Sequence, residues 1–128
     1  MSKSSRILRI MDLKPGMDRV SVKVRVLEAH SPKTVQTRRG PRTLSEAIIG
    51  DESGRVKVTL WGQKAGQLVE GKAVIIENAF VTSYRGESQL NVGKFGKITE
   101  ISDDDVPEIE DIPENVPRAP PRFRKPRF

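Results

Sequence analysis

The chain has 128 residues, 31% of them charged, and it contains no cysteine. A chain of this length suits one domain with a modest core, and the lack of cysteine excludes a disulfide framework and thiolate metal sites. The first 102 residues carry 18 Lys and Arg against 10 Asp and Glu. This excess of positive charge favours a polyanionic partner such as nucleic acid.

Short strands separated by turns are predicted along most of the chain. Alternating apolar and β-branched residues predict five strands, at 20–26, 43–49, 55–61, 72–83 and 88–92. A tight hairpin loop joins the second and third strands, and a short helix or turn at 63–69 precedes the fourth. Arg85-Gly86 separates the fourth strand from the fifth, and residues 98–101 extend the edge.

Five strands with a short helical turn between the third and fourth are the plan of the OB-fold, a partly open Greek-key barrel. We therefore predict an all-β, five-stranded barrel of this kind, with a small SH3-like barrel or sandwich as the alternative. Its boundaries are predicted as a flexible N-terminus at 1–11, the barrel at 12–102 and a disordered tail at 103–128. The tail is Pro-rich, first acidic and then basic, and has no hydrophobic periodicity.

Strand parity places aromatic and cationic side chains together on the outer face of the barrel. In the third strand Val56, Val58 and Leu60 point inward, so Arg55, Lys57 and Trp61 point outward. In the fourth strand Phe80 and Tyr84 share a face with polar neighbours, and in the fifth Gln89 and Asn91 share a face. The alternatives are that Trp61 caps the barrel, that a bulge turns Phe80 inward, and that the amides are merely solvated.

Rings and cations on one open face are what sequence-tolerant binding of a single strand requires. Every base has a π-face for stacking, and Lys and Arg neutralise phosphates. Phe80 and Tyr84 are four residues apart, which places them about 13 Å apart along a strand, so a bound strand must be splayed out. The first long loop adds further candidates for groove or backbone contacts: Lys33, Val35, Arg38, Arg39 and Arg42.

Several segments resemble the archaeal single-OB-fold single-stranded DNA-binding proteins. They are Val24–Ala29, Arg42–Asp51 and Gly54–Gly62, with Glu70-Gly71 and Ile76–Ala79. The likeness covers about residues 12–102. It implies protection of single-stranded DNA in replication, recombination and repair, by stacking on three aromatic positions.

Within that resemblance, Trp61 matches the first stacking position. Phe80 matches a position often held by Trp, and Tyr84 matches one often held by Phe, so the ring size differs at both. Lys33 and Val35 fall in the loop segment that the family uses beside the DNA. The family's tails are often Gly/Arg-rich and serve partner proteins, whereas this tail is Pro/Arg-rich; that this tail recruits replication or repair proteins is an expectation from the resemblance.

Catalytic chemistry is not predicted. No Ser/His/Asp or Cys/His set can be assembled, His30 stands alone, and the carboxylates at 103–105 lack the fixed spacing of a calcium loop. We expect no enzyme activity, no cofactor, no metal and no membrane segment, and a monomer in the cytoplasm at the nucleoid. The alternative functions are an RNA-binding OB module and a protein-interaction OB scaffold.

Overall fold

The strands form one sheet that closes on itself. The computed structural model describes residues 7–118. Its strands are β1 (Ile7–Leu8), β2 (Val20–Ala29), β3 (Lys33–Thr37), β4 (Gly40–Asp51), β5 (Gly54–Trp61), β6 (Ala73–Tyr84), β7 (Glu87–Val92) and β8 (Lys97–Glu100). Neighbouring strands follow the order β1-β2-β4-β5-β7-β6-β8, and a further β2–β6 pairing closes the barrel.

The predicted OB-fold barrel is confirmed. The five predicted strands correspond to β2, β4, β5, β6 and β7, and a turn of 3-10 helix at Gly62–Lys64 lies between the third and fourth of them. β5 and β7 pair in parallel, whereas β4–β5 and β6–β7 are antiparallel hairpins. Inward-facing aliphatic side chains fill the barrel, among them Val24, Ile49, Val58, Ile76 and Leu90, all fully buried.

The first long loop is more ordered than its sequence indicates. Instead of an irregular loop, β3 and the first part of β4 form a hairpin that extends from the barrel, with Lys33 opposite Leu44 and Val35 opposite Arg42. Arg38 and Arg39 form its exposed tip. The paired backbone gives the basic residues of this segment a defined orientation relative to the sheet.

The N-terminal boundary differs from the expectation of a flexible segment through residue 11. Ile7–Leu8 pairs in parallel with β2, and Ile10 is fully buried in the core. The backbone N–H of Ile10 donates to Asp51 Oδ2 at 2.9 Å, so the hairpin between β4 and β5 holds this segment in place. Residues 1–6 lie outside the described residues.

Residues 103–118, called the strap below, also differ from the expected disordered tail. Arg25, 4% exposed, donates to the carbonyl oxygens of Pro107, Asp103 and Val106 and to the Asp103 carboxylate. Val106 and Ile112 are buried against the barrel. A buried guanidinium and two buried apolar side chains therefore fix an acidic, Pro-rich segment. The rest of the predicted tail, residues 119–128, lies outside the described residues.

A bulge in β6 determines which way Phe80 points. Val22 pairs with Ile76 and Val20 pairs with Ala79, so three steps on β6 oppose two on β2. Asn78, within the bulge, has a φ of 61°. The extra residue lets both Ile76 and Ala79 face inward, and it leaves Phe80 on the outside. The bulge thus lies before Phe80 and exposes this ring, in contrast to the alternative in which a bulge buries it.

Substituting Asn78 tests this bulge. Asparagine tolerates the left-handed region, and a β-branched residue does not. We expect N78V to lower the free energy of unfolding by about 1–3 kcal/mol, measured by urea denaturation. N78G, which removes the side chain but permits the same φ, is the matched control and should lose clearly less. Equal losses in the two variants would show that the backbone conformation at Asn78 does not matter.

Candidate nucleic-acid interface

One face of the sheet runs across β4, β5, β7 and β6 and carries the predicted aromatic residues. Residues paired across neighbouring strands project to the same side of a sheet. Thr59 of β5 pairs with Glu46 on one side and with Asn91 on the other, and Asn91 pairs with Phe80. The residues of this row and every second residue beyond them on the same strands form one surface, which we call the aromatic face. Trp61, Phe80, Thr82 and Tyr84 belong to it.

Trp61 is held at its edge and approached by a cation. Its indole Nε1 donates to Asn91 Oδ1 at 3.2 Å, and Asn91 Nδ2 donates to Thr82 Oγ1 at 3.0 Å. The Arg42 guanidinium lies 5.0 Å from the centre of the indole ring. Hydrogen bonds therefore fix the orientation of a half-buried ring, and the cation–π contact places a positive charge beside it.

Phe80 and Tyr84 are exposed, and they line two different clefts. Phe80 is 38% exposed and shares a cleft with Trp61, Arg42, Thr82 and Gly93. Tyr84 is 53% exposed and lies in a second cleft, whose lining includes Lys57, Gln89 and Val116. The aromatic face thus offers a paired-ring cleft at one end and a single ring at the other.

The turn beside Tyr84 fixes the end of this face. Tyr84 pairs with Glu87 across a two-residue turn in which Arg85 and Gly86 have φ values of 54° and 83°. Two left-handed residues in succession are typical of a type I′ hairpin, which favours glycine. The Arg85 guanidinium lies 5.1 Å from the centre of the Tyr84 ring, so this ring also has a cation beside it.

The β3–β4 hairpin adds to the aromatic face. Leu44 pairs with both Lys33 and Trp61, which places the Lys33 side chain on the same side of the sheet as the indole. Val35 pairs with Arg42, two residues before Leu44, and shares that side. Both are therefore oriented toward the region beside Trp61. Arg38 and Arg39 are exposed at the hairpin tip, beyond the paired residues.

The structure changes the expected role of Arg55. Its side chain is on the outer side of β5, as predicted, but Nε donates to Pro113 O at 3.0 Å and Nη2 donates to Ile112 O at 2.9 Å. Arg55 holds the strap, and its donors are directed there rather than toward a phosphate. Strand parity gives the side of the sheet but does not indicate that residues 112–113 cross it.

Lys57 and Asn91 also have partners within the chain. Lys57 Nζ lies 3.7 Å from Glu46 Oε2 with both side chains about one-third exposed, so the ammonium group remains accessible to a phosphate. Asn91 is 7% exposed and uses both ends of its amide on Trp61 and Thr82. Asn91 therefore positions the indole, whereas the half-buried Gln89 remains the amide that lines the Tyr84 cleft.

Val116 in the Tyr84 cleft is a residue that the sequence analysis missed. The backbone of the strap reaches this cleft by way of Arg55 N–H, which donates to Asn115 O at 2.8 Å, and Ser88 N–H, which donates to Pro117 O at 2.9 Å. Two apolar residues within the acidic stretch, Val106 and Ile112, are the signal in the sequence that this segment packs on the barrel, and both are buried.

Residues 7–118 hold neither a metal-binding cluster nor a membrane-spanning helix. This part of the chain contains no group of three or more His, Cys, Asp and Glu side chains arranged to hold a metal ion. It likewise contains no helix of sufficient length and apolar character to span a membrane. His30 Nε2 lies 3.3 Å from Glu28 Oε1, with both side chains about 60% exposed.

Comparison with known proteins agrees with this architecture. The family model described as single-stranded DNA binding protein Ssb-like, OB fold, matches residues 13–100. The single-stranded DNA binding protein Ssb of Saccharolobus solfataricus is 53% identical over 116 residues, which are 91% of this chain and 78% of that protein.

Solved structures of lower identity share the fold. DNA binding domain A of replication protein A from S. cerevisiae superimposes with a TM-score of 0.67 at 24% identity, covering 77% of this chain and 96% of that domain. An OB domain from Thermoplasma acidophilum gives a TM-score of 0.65 at 22% identity, covering 75% of this chain and 87% of that domain. Since the family model spans the barrel and a 53% identical relative extends along nearly the whole chain, the protein belongs to the Ssb-like family of OB-fold single-stranded DNA binding proteins.

Proposed function

We propose that this protein binds and covers single-stranded DNA, largely independently of base sequence, in replication, recombination and repair. Bases stack on Trp61, Phe80 and Tyr84, while Lys33, Arg42 and Lys57 neutralise phosphates. The observation that supports this most directly is the aromatic face itself, on which three rings and three cations share one open side of the barrel. Membership of the Ssb-like family supports the same function.

The physical basis is the sum of stacking and electrostatic attraction. Each base–ring stack contributes about 1–3 kcal/mol and does not depend on base identity. Each phosphate contact made by a cation releases counterions, so that part of the affinity decreases with salt. No step in this function breaks a covalent bond, and the protein acts as a binding module rather than an enzyme.

Titration of the intrinsic fluorescence with oligo-dT tests this function. Trp61 is the only tryptophan, so emission reports on this ring alone. We expect strong quenching on binding, and we expect W61A to weaken binding by about 1–3 kcal/mol. The melting temperature should change little, because Trp61 is only half-buried.

W61L separates loss of the ring from loss of cover over Leu44, which is 7% exposed and pairs with Trp61. Leucine retains apolar volume over Leu44 but has no π-face, so W61L should bind as weakly as W61A, and both variants lose the hydrogen bond to Asn91 Oδ1 equally. If both variants bind oligo-dT like the wild type, stacking at this position is wrong. A large loss of stability with unchanged affinity per folded molecule would instead make Trp61 a core residue.

RNA is the competing ligand, because stacking and phosphate contacts do not by themselves distinguish the two sugars. We infer a preference for DNA from the family, and competition between oligo-dT and oligo-U of equal length measures it. The basic end of the tail, of which residues 119–128 lie outside the described residues, is proposed to contact replication or repair proteins. The barrel itself is proposed to act as a monomer at the nucleoid.

A further inference from the structure

A fourth aromatic ring, that of Phe95, lies beside the aromatic face and is not indicated by strand parity. Its side chain is 76% exposed, more than that of any other large hydrophobic residue in 7–118. Phe95 belongs to the turn at 93–96 between β7 and β8, where strand parity makes no prediction. A single exposed apolar side chain is common on a protein surface, so the case for Phe95 depends on what surrounds it.

The turn presents this ring in a fixed position. Gly96 N–H donates to Gly93 O at 3.0 Å, and Asn78 Nδ2 donates to Phe95 O at 3.1 Å. Gly96 itself is packed so tightly that a Cβ there would collide with Val92 Cγ1. The backbone on which Phe95 is mounted is therefore tied to the β6 bulge and to the end of β7, and ordering the ring for a ligand requires little further loss of backbone freedom.

The surroundings of Phe95 connect it to Phe80. The two rings line one cleft together with Gly93 and Asn78, and Gly93 brings its backbone close to the Phe80 ring. Phe80 and Gly93 also line the Trp61 cleft, so the Trp61 cleft and the Phe95 cleft adjoin at these two residues. A strand stacked on Trp61 and Phe80 that continues past Phe80 on this side therefore follows a path to Phe95.

Cations accompany this ring as they accompany Trp61 and Tyr84. Lys94 Nζ lies 5.4 Å from the centre of the Phe95 ring, and Arg19 lines the same cleft. Asp18 is the one acidic residue among the lining side chains. The combination of an exposed ring, two cations and a single carboxylate fits a nucleotide, with its flat base and its negative phosphate, better than it fits an apolar protein surface.

We propose that Phe95, Lys94 and Arg19 form an additional subsite for one nucleotide of the bound single strand, at the end of the path beyond Phe80. The base stacks on the Phe95 ring, and the phosphate lies near the two cations. This proposal rests on the proposed function and extends its footprint. It predicts that the site length differs between this protein and a variant that lacks the ring.

A length series of oligo-dT measures that difference. F95A should bind short oligonucleotides with wild-type affinity. It should bind longer ones with an affinity lower by a factor of about five or more, since one stack is lost only when the strand reaches the subsite. I109A is the matched control, because Ile109 is also exposed, at 42%, but lies on the strap. It should bind every length like the wild type.

Moving the tryptophan from position 61 to position 95 gives a second readout, the fluorescence of the indole at position 95. In the double variant F95W/W61F, the indole at position 95 is the only one, and oligo-dT that is long enough to reach it should quench its emission. Short oligonucleotides should leave that emission unchanged while still binding. K94Q should reduce the salt slope of binding by about 0.7 for the long oligonucleotides only.

Three results would overturn the subsite. The first is an F95A protein that binds all lengths like the wild type while W61A weakens binding. That pattern leaves the proposed function intact and shows that Phe95 is not part of the site. The second is an indole at position 95 whose emission no length of oligo-dT quenches, which would likewise show that no base stacks there. A loss confined to cooperative coating of long strands would place Phe95 between neighbouring protein copies instead. If W61A and F95A both leave binding unchanged, the proposed function itself fails.

Discussion

Replacing Arg25 by alanine is expected to lower the free energy of unfolding by about 3–5 kcal/mol. The buried guanidinium donates to five oxygen atoms, of Gly71, Asp103, Val106 and Pro107. Alanine leaves these acceptors without their donors and detaches the first half of the strap. For a domain of this size the loss corresponds to a decrease in Tm on the order of 15–25 °C.

Urea denaturation followed by circular dichroism measures this loss. The free energy of unfolding of R25K should lie between those of the wild type and R25A, because an ammonium group keeps the charge but presents its donors from one atom. K72A is the control, since Lys72 pairs with Glu100 at 3.2 Å on the exposed surface and should contribute less than about 1 kcal/mol. An R25A protein within 1 kcal/mol of the wild type would mean that the strap contributes little to stability.

Arg25 also explains why strand parity succeeds in one part of the barrel and fails in another. β5 has one face on the core, and three of its four outer residues, Arg55, Lys57 and Trp61, are only half-buried, so its alternation gives the correct burial at Val56 and Val58. β2 alternates equally clearly in sequence, yet both Ser21 and Arg25 on its outer side are buried. The strap covers that side at Arg25, and covering by a distant segment leaves no periodic signal in β2.

The site shows the same division between local and distant information. Trp61 follows from alternation within β5, and Phe80 and Tyr84 follow from alternation with Ala79 and Val81 in the second half of β6. The bulge at Asn78 produces the agreement at Phe80, although nothing in the alternation indicates the bulge. Phe95 and Val116 lie in a turn and in the strap, so their positions depend on tertiary contacts that sequence patterns do not encode.

The largest effect on binding is expected when the three rings of the aromatic face are removed together. W61A/F80A/Y84A should lose about 3–9 kcal/mol of binding free energy for single-stranded DNA, less any coupling between Trp61 and Phe80 in their shared cleft. Because stacking releases no counterions, the loss should be similar at low and high salt, with the slope of log K against log [salt] unchanged.

The matched charge variant is K33Q/R42Q/K57Q, which alters three cations of the same face and keeps every ring. Its slope should fall by about 2 in total, at roughly 0.7 for each phosphate contact, and its affinity should approach that of the wild type as salt rises. R55Q serves as the internal control, since Arg55 is bonded to Ile112 and Pro113 of the strap: it should lower stability and leave the slope unchanged. A ring variant with a flattened slope, or an R55Q protein that loses one phosphate contact, would contradict this division between stacking, phosphate contacts and attachment of the strap.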